Sequence, residues 1–297
     1  KLRNEAIKVQ NQLEFFFFRA FSKIFCFLGL KRARRATTLL AFLFYYIIPL
    51  RKKVVIENLR KAFPELSEKE IKETAYKSYK SFAITLIEIL LLPKLTKEEL
   101  LNSVECPNVG LIKEEMDKGR GMILLTAHFG NWEYGAIAGG LLSGFVFNAL
   151  VKQQRNELVD NWLNQKREKW GNRIIPLGIS VRNVYQELKN KKLIAIVADQ
   201  RGPADGVRVK MFGIPTAVYT GFASLHIKMN VPILVGIVVR QPDRTYRVEL
   251  ERLETDNLTG SEEERVEIIT QRYYDILERK IKKNPEQWLW MHKRWKY

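Results

Sequence analysis

From residue 104 to residue 253 short apolar runs alternate with helical stretches, and this pattern constrains the fold more than any other feature of the chain. The runs are GMILLTA (121–127), FVFNALV (145–151), RIIPL (173–177), LIAIVA (193–198) and PILVGIVV (232–239). Between them the spacing predicts helices from Trp132, from about Asn156 to Trp170, from Ser180 and, after a Gly-rich loop, from Ala217. Continuous apolar strands separated by helices mark a mostly parallel sheet buried on both faces, because a parallel connection needs a long crossover. YRVELERL (246–253) alternates instead and predicts an antiparallel edge strand. SEEE at 261–264 caps a last long helix to about Lys283.

The part before residue 104 reads as helical. RKKVVIENLRKAF has apolar residues at helical spacing and stops at Pro64, and SEKE at 67–70 is a capping box opening an amphipathic run to Leu92. TKEE at 96–99 starts a short helix by the same device. With no internal repeat and no linker, the simplest partition is a helical region over 1–100 and an α/β domain over 101–297. The fold class is α/β, a mostly parallel central sheet flanked by helices with an N-terminal helical, membrane-associating appendage.

Charge supports that last term. The chain carries 50 Lys and Arg against 33 Asp and Glu, a net +17, which favours an anionic partner. Residues 1–60 hold 13 of the basic side chains and three glutamates, +10 of the total, interleaved with LEFFFFRAFSKIFCFLGL (13–30) and TTLLAFLFYYIIPL (37–50). Basic clusters among apolar runs suit an anionic membrane surface, where each Lys or Arg contributes ~1 kcal/mol. A spanning helix needs about 20 apolar residues. The second run is only 14 long, and Glu14, Arg19 and Lys23 interrupt the first. Arg19 and Lys23, four apart, share one helical face and leave the other apolar, so two helices lying in or shallowly inserted into the interface are expected. A cleavable signal peptide is not expected, because the first apolar run is charged and no small-residue cleavage site follows it.

Two cysteines, Cys26 and Cys106, are too few for a disulfide framework, and three isolated histidines give no zinc spacing, so no metal site is expected. Chemistry points instead to HFGNWE, 128–133. On one helix His128 and Glu133 lie about 140° apart and cannot meet. A strand ending at His128, a bend at Gly130 and a helix N-capped by Asn131 bring them to the sheet edge where ligands bind in α/β proteins. Two readings stand at this point. Either Glu133 accepts a hydrogen bond from the imidazole and makes His128 a base, or the histidine ends a strand and the glutamate answers a helix dipole.

HFGNWE resembles the H-x-x-x-x-E signature of the bacterial lipid A late acyltransferases, the lauroyl and myristoyl transferases, within the wider glycerolipid acyltransferase superfamily. The resemblance extends in order through RKKVVIENLRKAFPELSEKE, NELVDNWL, VADQRGPADGVRVKMFGIPTAVYTGFASLHIKMNVPIL and NPEQWLWMHKRWK, so it covers most of the chain from about 51 to 296. It implies transfer of a fatty acyl chain from an acyl carrier protein thioester, or acyl-CoA, to a hydroxyl of a lipid A precursor or related glycolipid. The place implied is the cytoplasmic face of the bacterial inner membrane, with the protein peripheral or shallowly inserted. His128 would be the general base and Glu133 its orienting partner, with no cofactor, because a thioester is already activated. Asn131 would position substrate or serve only as the N-cap. Lys152, Arg155 and Arg167 would face the acceptor's phosphates or form a solvated helix face, and VKQQRN (151–156) departs from the family's Tyr-Arg-Pro pattern there. Asp199 falls where the family has a functional Asp, or it caps a turn.

His226, among Phe222, Leu225 and Met229 at helical spacing, reads as a packed core histidine and not a second catalytic one, while His292 follows the family's C-terminal pattern with either a functional or a structural role. Trp288, Trp290 and Trp295, near Lys293, Arg294 and Lys296, suit a membrane interface, with core packing the alternative for the first two. No Ser or Cys lies within the motif to carry an acyl intermediate, which favours direct transfer, with Cys106 the alternative carrier. The rival acceptors are a lysophospholipid and a non-lipid-A glycolipid such as a mannosylated phosphoinositide. The rival of another class is a non-enzymatic basic membrane-binding protein. Nucleic acid is not an expected partner, since no zinc finger, helix-turn-helix or RNP motif is present.

Overall fold

The computed structural model describes residues 2–178 and 181–296. Helix α1 (Leu2–Ala33) bends at Gly29, where φ is 72° and ψ 164°. A 3-10 turn (Arg34–Ala36) leads into α2 (Thr37–Phe42), which widens into a π-helical turn (Leu43–Ile47) ahead of Pro49. Helices α3 (Lys52–Ala62), α4 (Glu68–Leu91) and α5 (Lys97–Ser103) follow. The Ser67–Glu70 and Thr96–Glu99 capping boxes close as the sequence predicts, each hydroxyl accepting the N3 amide while the glutamate accepts the N-cap amide.

Strand and helix then alternate: β1 (Val104–Glu105), α6 (Gly110–Asp117), β2 (Met122–Thr126), α7 (Trp132–Ser143), β3 (Phe147–Val151), α8 (Glu157–Arg167), β4 (Arg173–Pro176), α9 (Val181–Lys189) and β5 (Leu193–Val197). The helix expected from Ser180 is described only from Val181, since Ser180 lies outside the described residues. After β5 come β6 (Arg208–Met211), β7 (Ile214–Ala217), α10 (Gly221–Met229), β8 (Ile233–Arg240), β9 (Tyr246–Arg252) and α11 (Glu262–Lys283), capped by Ser261 and Glu264.

The strands form a seven-stranded sheet in the order β1-β9-β8-β2-β5-β3-β4. Strands β8, β2, β5, β3 and β4 run parallel; β9 is antiparallel to β8, and β1 pairs parallel with β9. The alternating strand is thus antiparallel as expected, but two-residue β1 takes the outermost place. One difference from the sequence reading is larger. The Gly-rich segment after β5 contains a β6–β7 hairpin, and α10 begins at Gly221, not Ala217. Phe212 and Gly213 form its two-residue turn with φ of 51° and 74°, the left-handed pair that a type I′ turn requires. A bulky Phe in place of the usual Asn or Asp concealed it.

Both sheet faces are covered, as apolar parallel strands demand. On one face Ile123, Leu125, Ile194, Val235 and Ile237 pack with Tyr79 of α4, Val184 of α9, Phe222 of α10 and Tyr273 and Leu277 of α11. On the other, Met122, Leu124 and Leu234 pack with Leu100 of α5, Ile112 of α6 and Tyr134 and Ile137 of α7. Helix α1 lies across α4 through Phe25 and across α8 through Phe18, whose ring meets Trp162 edge-on at 4.9 Å. No described helix is long and apolar enough to cross a membrane. Yet α1 exposes Phe16, Phe17, Phe21, Ile24 and Phe27, the last 87% exposed, and Leu39, Phe42, Tyr46 and Ile47 of α2 and its π-helical turn are exposed as well. Arg19 and Lys23 are exposed on the same helix, while Phe18 and Phe25, on the face that packs inward, are spent on α8 and α4.

Candidate active site at the end of β2

The bend after β2 forms at Gly130, with φ of 55°, and a Cβ there would lie 2.1 Å from the Val238 carbonyl oxygen. Only glycine fits. Asn131 then caps α7, its Oδ1 accepting the Tyr134 N–H at 3.0 Å. The C-terminal segment clamps the loop from outside: Leu289 N–H donates to the His128 carbonyl and Gly130 N–H to that of Gln287, both at 3.0 Å. From α11, Tyr273 donates to the Thr126 carbonyl (2.8 Å) and its neighbour Tyr274 to the Ala198 carbonyl (2.9 Å), so one helix fixes the ends of β2 and β5 together.

That pairing of strand ends places His128 beside Asp199. The ring Nδ1 is 2.8 Å from Asp199 Oδ1, and the His128 backbone N–H donates to Oδ2 at 2.9 Å. Trp288 Nε1 donates to the same Oδ2 at 2.8 Å. A carboxylate can only accept, so Nδ1 carries the hydrogen and Nε2 the lone pair. The side chain of His128 keeps 20% exposure, against 3% for Asp199. Burial opposes the charged imidazole, but the Asp199 charge, its hydrogen bond and the Glu133 charge outweigh it and hold the His128 pKa above the ordinary value. Burial likewise opposes ionisation of Asp199, and His128 and the Trp288 N–H overcome it, so its pKa is lowered.

Glu133 is placed differently from the sequence expectation. Its carboxylate is held by Arg167 of α8, Nε to Oε2 at 2.9 Å and Nη2 to Oε1 at 2.6 Å, a bidentate pair. Burial would raise the Glu133 pKa, but Arg167 lowers it past that effect. The carboxylate that orients the imidazole is therefore Asp199, and Glu133 acts on His128 through charge. Arg167 spends its remaining nitrogen, Nη1, on Asn164 Oδ1 at 2.9 Å, so its guanidinium faces Glu133 and not open solvent. Of the other two basic candidates, Arg155 is exposed and pairs with Glu14 of α1, while Lys152 is exposed just past β3.

Asn131 is fully buried, with both ends of its amide bonded: Oδ1 to the cap and Nδ2 to Glu88 at 2.8 Å. It shapes the helix start from within. The tryptophans Trp288, Trp290 and Trp295 are all buried, so the first two pack in the core and Trp295 does so as well, contrary to the interface expected for it. His292 is held neutral, burial and then the nearby Arg201 and Arg294 lowering its pKa to about 4. His226 is half-buried and its Nδ1 hydrogen-bonds the Val231 carbonyl at 2.7 Å, a structural contact at the edge of the core where a packed core histidine was expected. Sequence reasoning missed Trp288 as an Asp199 ligand, Tyr273 and Tyr274 as strand-end clamps, and Glu88 altogether. Among these the adjacent tyrosines were the readable signal, two phenols at positions where a core helix usually carries apolar groups.

A carboxylate-held imidazole at the C-terminal edge of a parallel sheet, with its second nitrogen unprotonated, defines a site able to take a proton from a bound hydroxyl. The comparisons with known proteins give the class its family. The family model for bacterial lipid A biosynthesis acyltransferase matches residues 3–297, and the chain belongs to that family. It is similar to the lipid A biosynthesis lauroyltransferase of Escherichia coli K12, 24% identical over 247 residues covering 83% of this chain and 79% of the relative. It is also similar to that organism's lipid A biosynthesis palmitoleoyltransferase, 22% identical over 281 residues, 92% and 85% of the two chains. A shorter similarity, 24% over 153 residues, reaches the phosphatidylinositol mannoside acyltransferase of Mycobacterium tuberculosis H37Rv, covering 50% of this chain and 48% of the relative. The family membership makes the chain an acyltransferase and sets aside the non-enzymatic reading.

Proposed function

We propose that the protein transfers a fatty acyl group from an acyl carrier protein thioester to a hydroxyl of a lipid A precursor or related glycolipid, with His128 as general base. The observation that carries the reading is the Asp199–His128 pair, which takes up Nδ1 and leaves the lone pair on Nε2 of an imidazole that keeps 20% exposure. Nε2 takes the hydroxyl proton as the oxygen attacks the thioester carbonyl. The tetrahedral intermediate collapses with loss of the C–S bond, and the imidazolium returns its proton to the leaving thiolate. Ester and free carrier thiol are the products. Glu133, held by Arg167, adds negative charge that favours the imidazolium formed midway.

Backbone N–H groups in the first turn of α7 are available for the oxyanion, because Tyr134 and Gly135 use theirs on Asn131 while those of Trp132 and Glu133 have no intrahelical acceptor. Each such donor is worth about 2.7–4 kcal/mol. No covalent intermediate is invoked. Burial pushes the Cys106 thiol up to about 11, which suits a packed side chain and not a nucleophile.

The exposed aromatic surface of α1 and α2, with the +10 charge of residues 1–60, supports peripheral attachment to anionic lipid. The proposed location is the cytoplasmic face of the bacterial inner membrane. The rival acceptor is a mannosylated phosphoinositide, supported by the half-length similarity to the mycobacterial relative; VKQQRN, in departing from the Tyr-Arg-Pro pattern, leaves room for an acceptor other than lipid A. The test incubates the purified protein in mixed micelles with acyl carrier thioester or acyl-CoA and each acceptor in turn, read by mass spectrometry. A mass gain of one acyl chain on the lipid A precursor, absent with His128→Ala, is the expected result. A gain only on the phosphoinositide selects the second acceptor, and undiminished transfer by His128→Ala overturns the mechanism.

A further inference from the structure

Beneath the motif lies a carboxylate that the chemistry above does not use. Glu88, on α4, is fully buried. Its Oε1 accepts from Arg34, whose Nε lies at 2.9 Å, in the turn between α1 and α2. Its Oε2 accepts from Asn131 Nδ2 at 2.8 Å and from the Tyr246 hydroxyl. Both oxygens thus face only donors. The Asn131 amide has no freedom to turn, since its Oδ1 is needed for the Tyr134 N–H that starts α7. The same network reaches the preceding residue: Arg240 donates to Tyr246 and Thr85 (2.9 and 2.8 Å), and Thr85 donates to the Gly130 carbonyl at 2.6 Å.

We infer that Glu88 is a positioning residue for acyl transfer, fixing through Asn131 where α7 begins and hence where the Trp132 and Glu133 backbone amides stand relative to His128. A buried carboxylate, an acceptor at both oxygens, is what this task needs, because an amide of the same shape would turn N–H groups toward one set of donors. The inference rests on His128 being the base of the reaction, and its test separates the two claims.

The experiment compares wild type, Glu88→Gln, Asn131→Asp and the double variant, all in full-length protein. In Glu88→Gln the introduced NH2 faces Asn131 Nδ2. In Asn131→Asp two carboxylates face each other. In the double variant the introduced amide donates to the introduced carboxylate, its carbonyl still accepts from Arg34, and the net charge of the cluster returns to the wild-type value. Each single variant is expected to lose roughly 10- to 100-fold in kcat per folded protein, the loss that misplacement of up to about 1 Å brings. KM is expected to stay within about twofold, and the double variant to recover to within about threefold of wild type. A purely structural role would lower the folded fraction without this reciprocal rescue in kcat.

Hydrogen exchange at residues 132–135 is the second readout, expected to speed up in each single variant and to return in the double, whatever product is measured. Wild-type kcat and exchange in either single variant overturn the inference, as does a double variant whose defect is the product of the two. If Glu88→Gln does not fold, Asn131→Asp and the double decide alone by the same criteria. Transfer that survives His128→Ala removes the base while leaving the exchange result to judge the positioning.

Discussion

Replacing Asp199 with asparagine exchanges one oxygen for an NH2 group and leaves size and shape intact. Oδ2 receives two N–H groups, from the His128 backbone and from Trp288 Nε1, whereas Oδ1 faces only the ring. The amide therefore settles with its oxygen toward the two fixed donors and its NH2 toward Nδ1. Nδ1 becomes an acceptor, the neutral ring must carry its hydrogen on Nε2, and the base is gone. Recovering the working tautomer means turning the amide and orphaning two buried N–H groups at about 1–3 kcal/mol each. The total, ~2–6 kcal/mol, is roughly a 30- to 10⁴-fold loss of rate. Initial rates of ester formation from acyl carrier thioester measure it, with circular dichroism confirming the fold. Because Trp288→Phe removes one of the two orphans, the Asp199→Asn/Trp288→Phe pair should lose less than the two single losses multiplied together. Rates for Asp199→Asn within about threefold of wild type would refute the tautomer argument, since the flip would then cost less than one buried hydrogen bond.

Four further outcomes follow from the same geometry. Glu133→Gln leaves the Arg167 guanidinium without its anion in a buried site, which should cost about 3–5 kcal/mol of stability and lower the melting temperature along with activity. Gly130→Ala meets the Val238 carbonyl and a left-handed φ, so it should unfold several degrees early or fail to accumulate, as a thermal melt would show. The imidazole pKa raised above 6.5 places the acid limb of the kcat/KM profile higher than that of a free histidine: activity rises as pH climbs through it, and removal of the Asp199 charge moves the limb down. Serine at Phe16, Phe17, Phe21 and Phe27 together should weaken sedimentation with anionic vesicles by orders of magnitude, at ~1.5–3 kcal/mol for each ring that inserts, with transfer to micellar acceptor retained.

What the sequence disclosed was local. The three capping boxes, the apolar strands, the bend at Gly130 and the cap at Asn131 each depend on residues within a few positions of one another, and each appears as expected. Pairings across the sheet did not show. His128 and Glu133 stand five apart in HFGNWE, so proximity in the chain suggested that they bond. The sheet order sets β5 directly beside β2, and Asp199 at the end of β5 takes that place instead. Nothing in a linear reading says that the fifth strand lies against the second. Arg167 reaches Glu133 across 34 residues and Glu88 reaches Asn131 across 43, distances at which no periodicity carries information. Asp199 was readable as a strand-end acid but not as the partner of His128. The β6–β7 hairpin was hidden because its turn is Phe-Gly, a pair that aromatic packing of Phe212 against Phe63 and Trp290 makes tolerable.

The mechanism turns on one hydrogen atom: in the neutral ring of His128 it resides on Nδ1, facing Asp199. Nitrogen-15 NMR of histidine-labelled protein, titrated with pH and assigned by the signal lost in His128→Ala, reports it directly. The expected result is a protonated Nδ1, an unprotonated Nε2 and a titration midpoint above 6.5. A neutral ring protonated at Nε2, or a midpoint below that of free histidine, would contradict it.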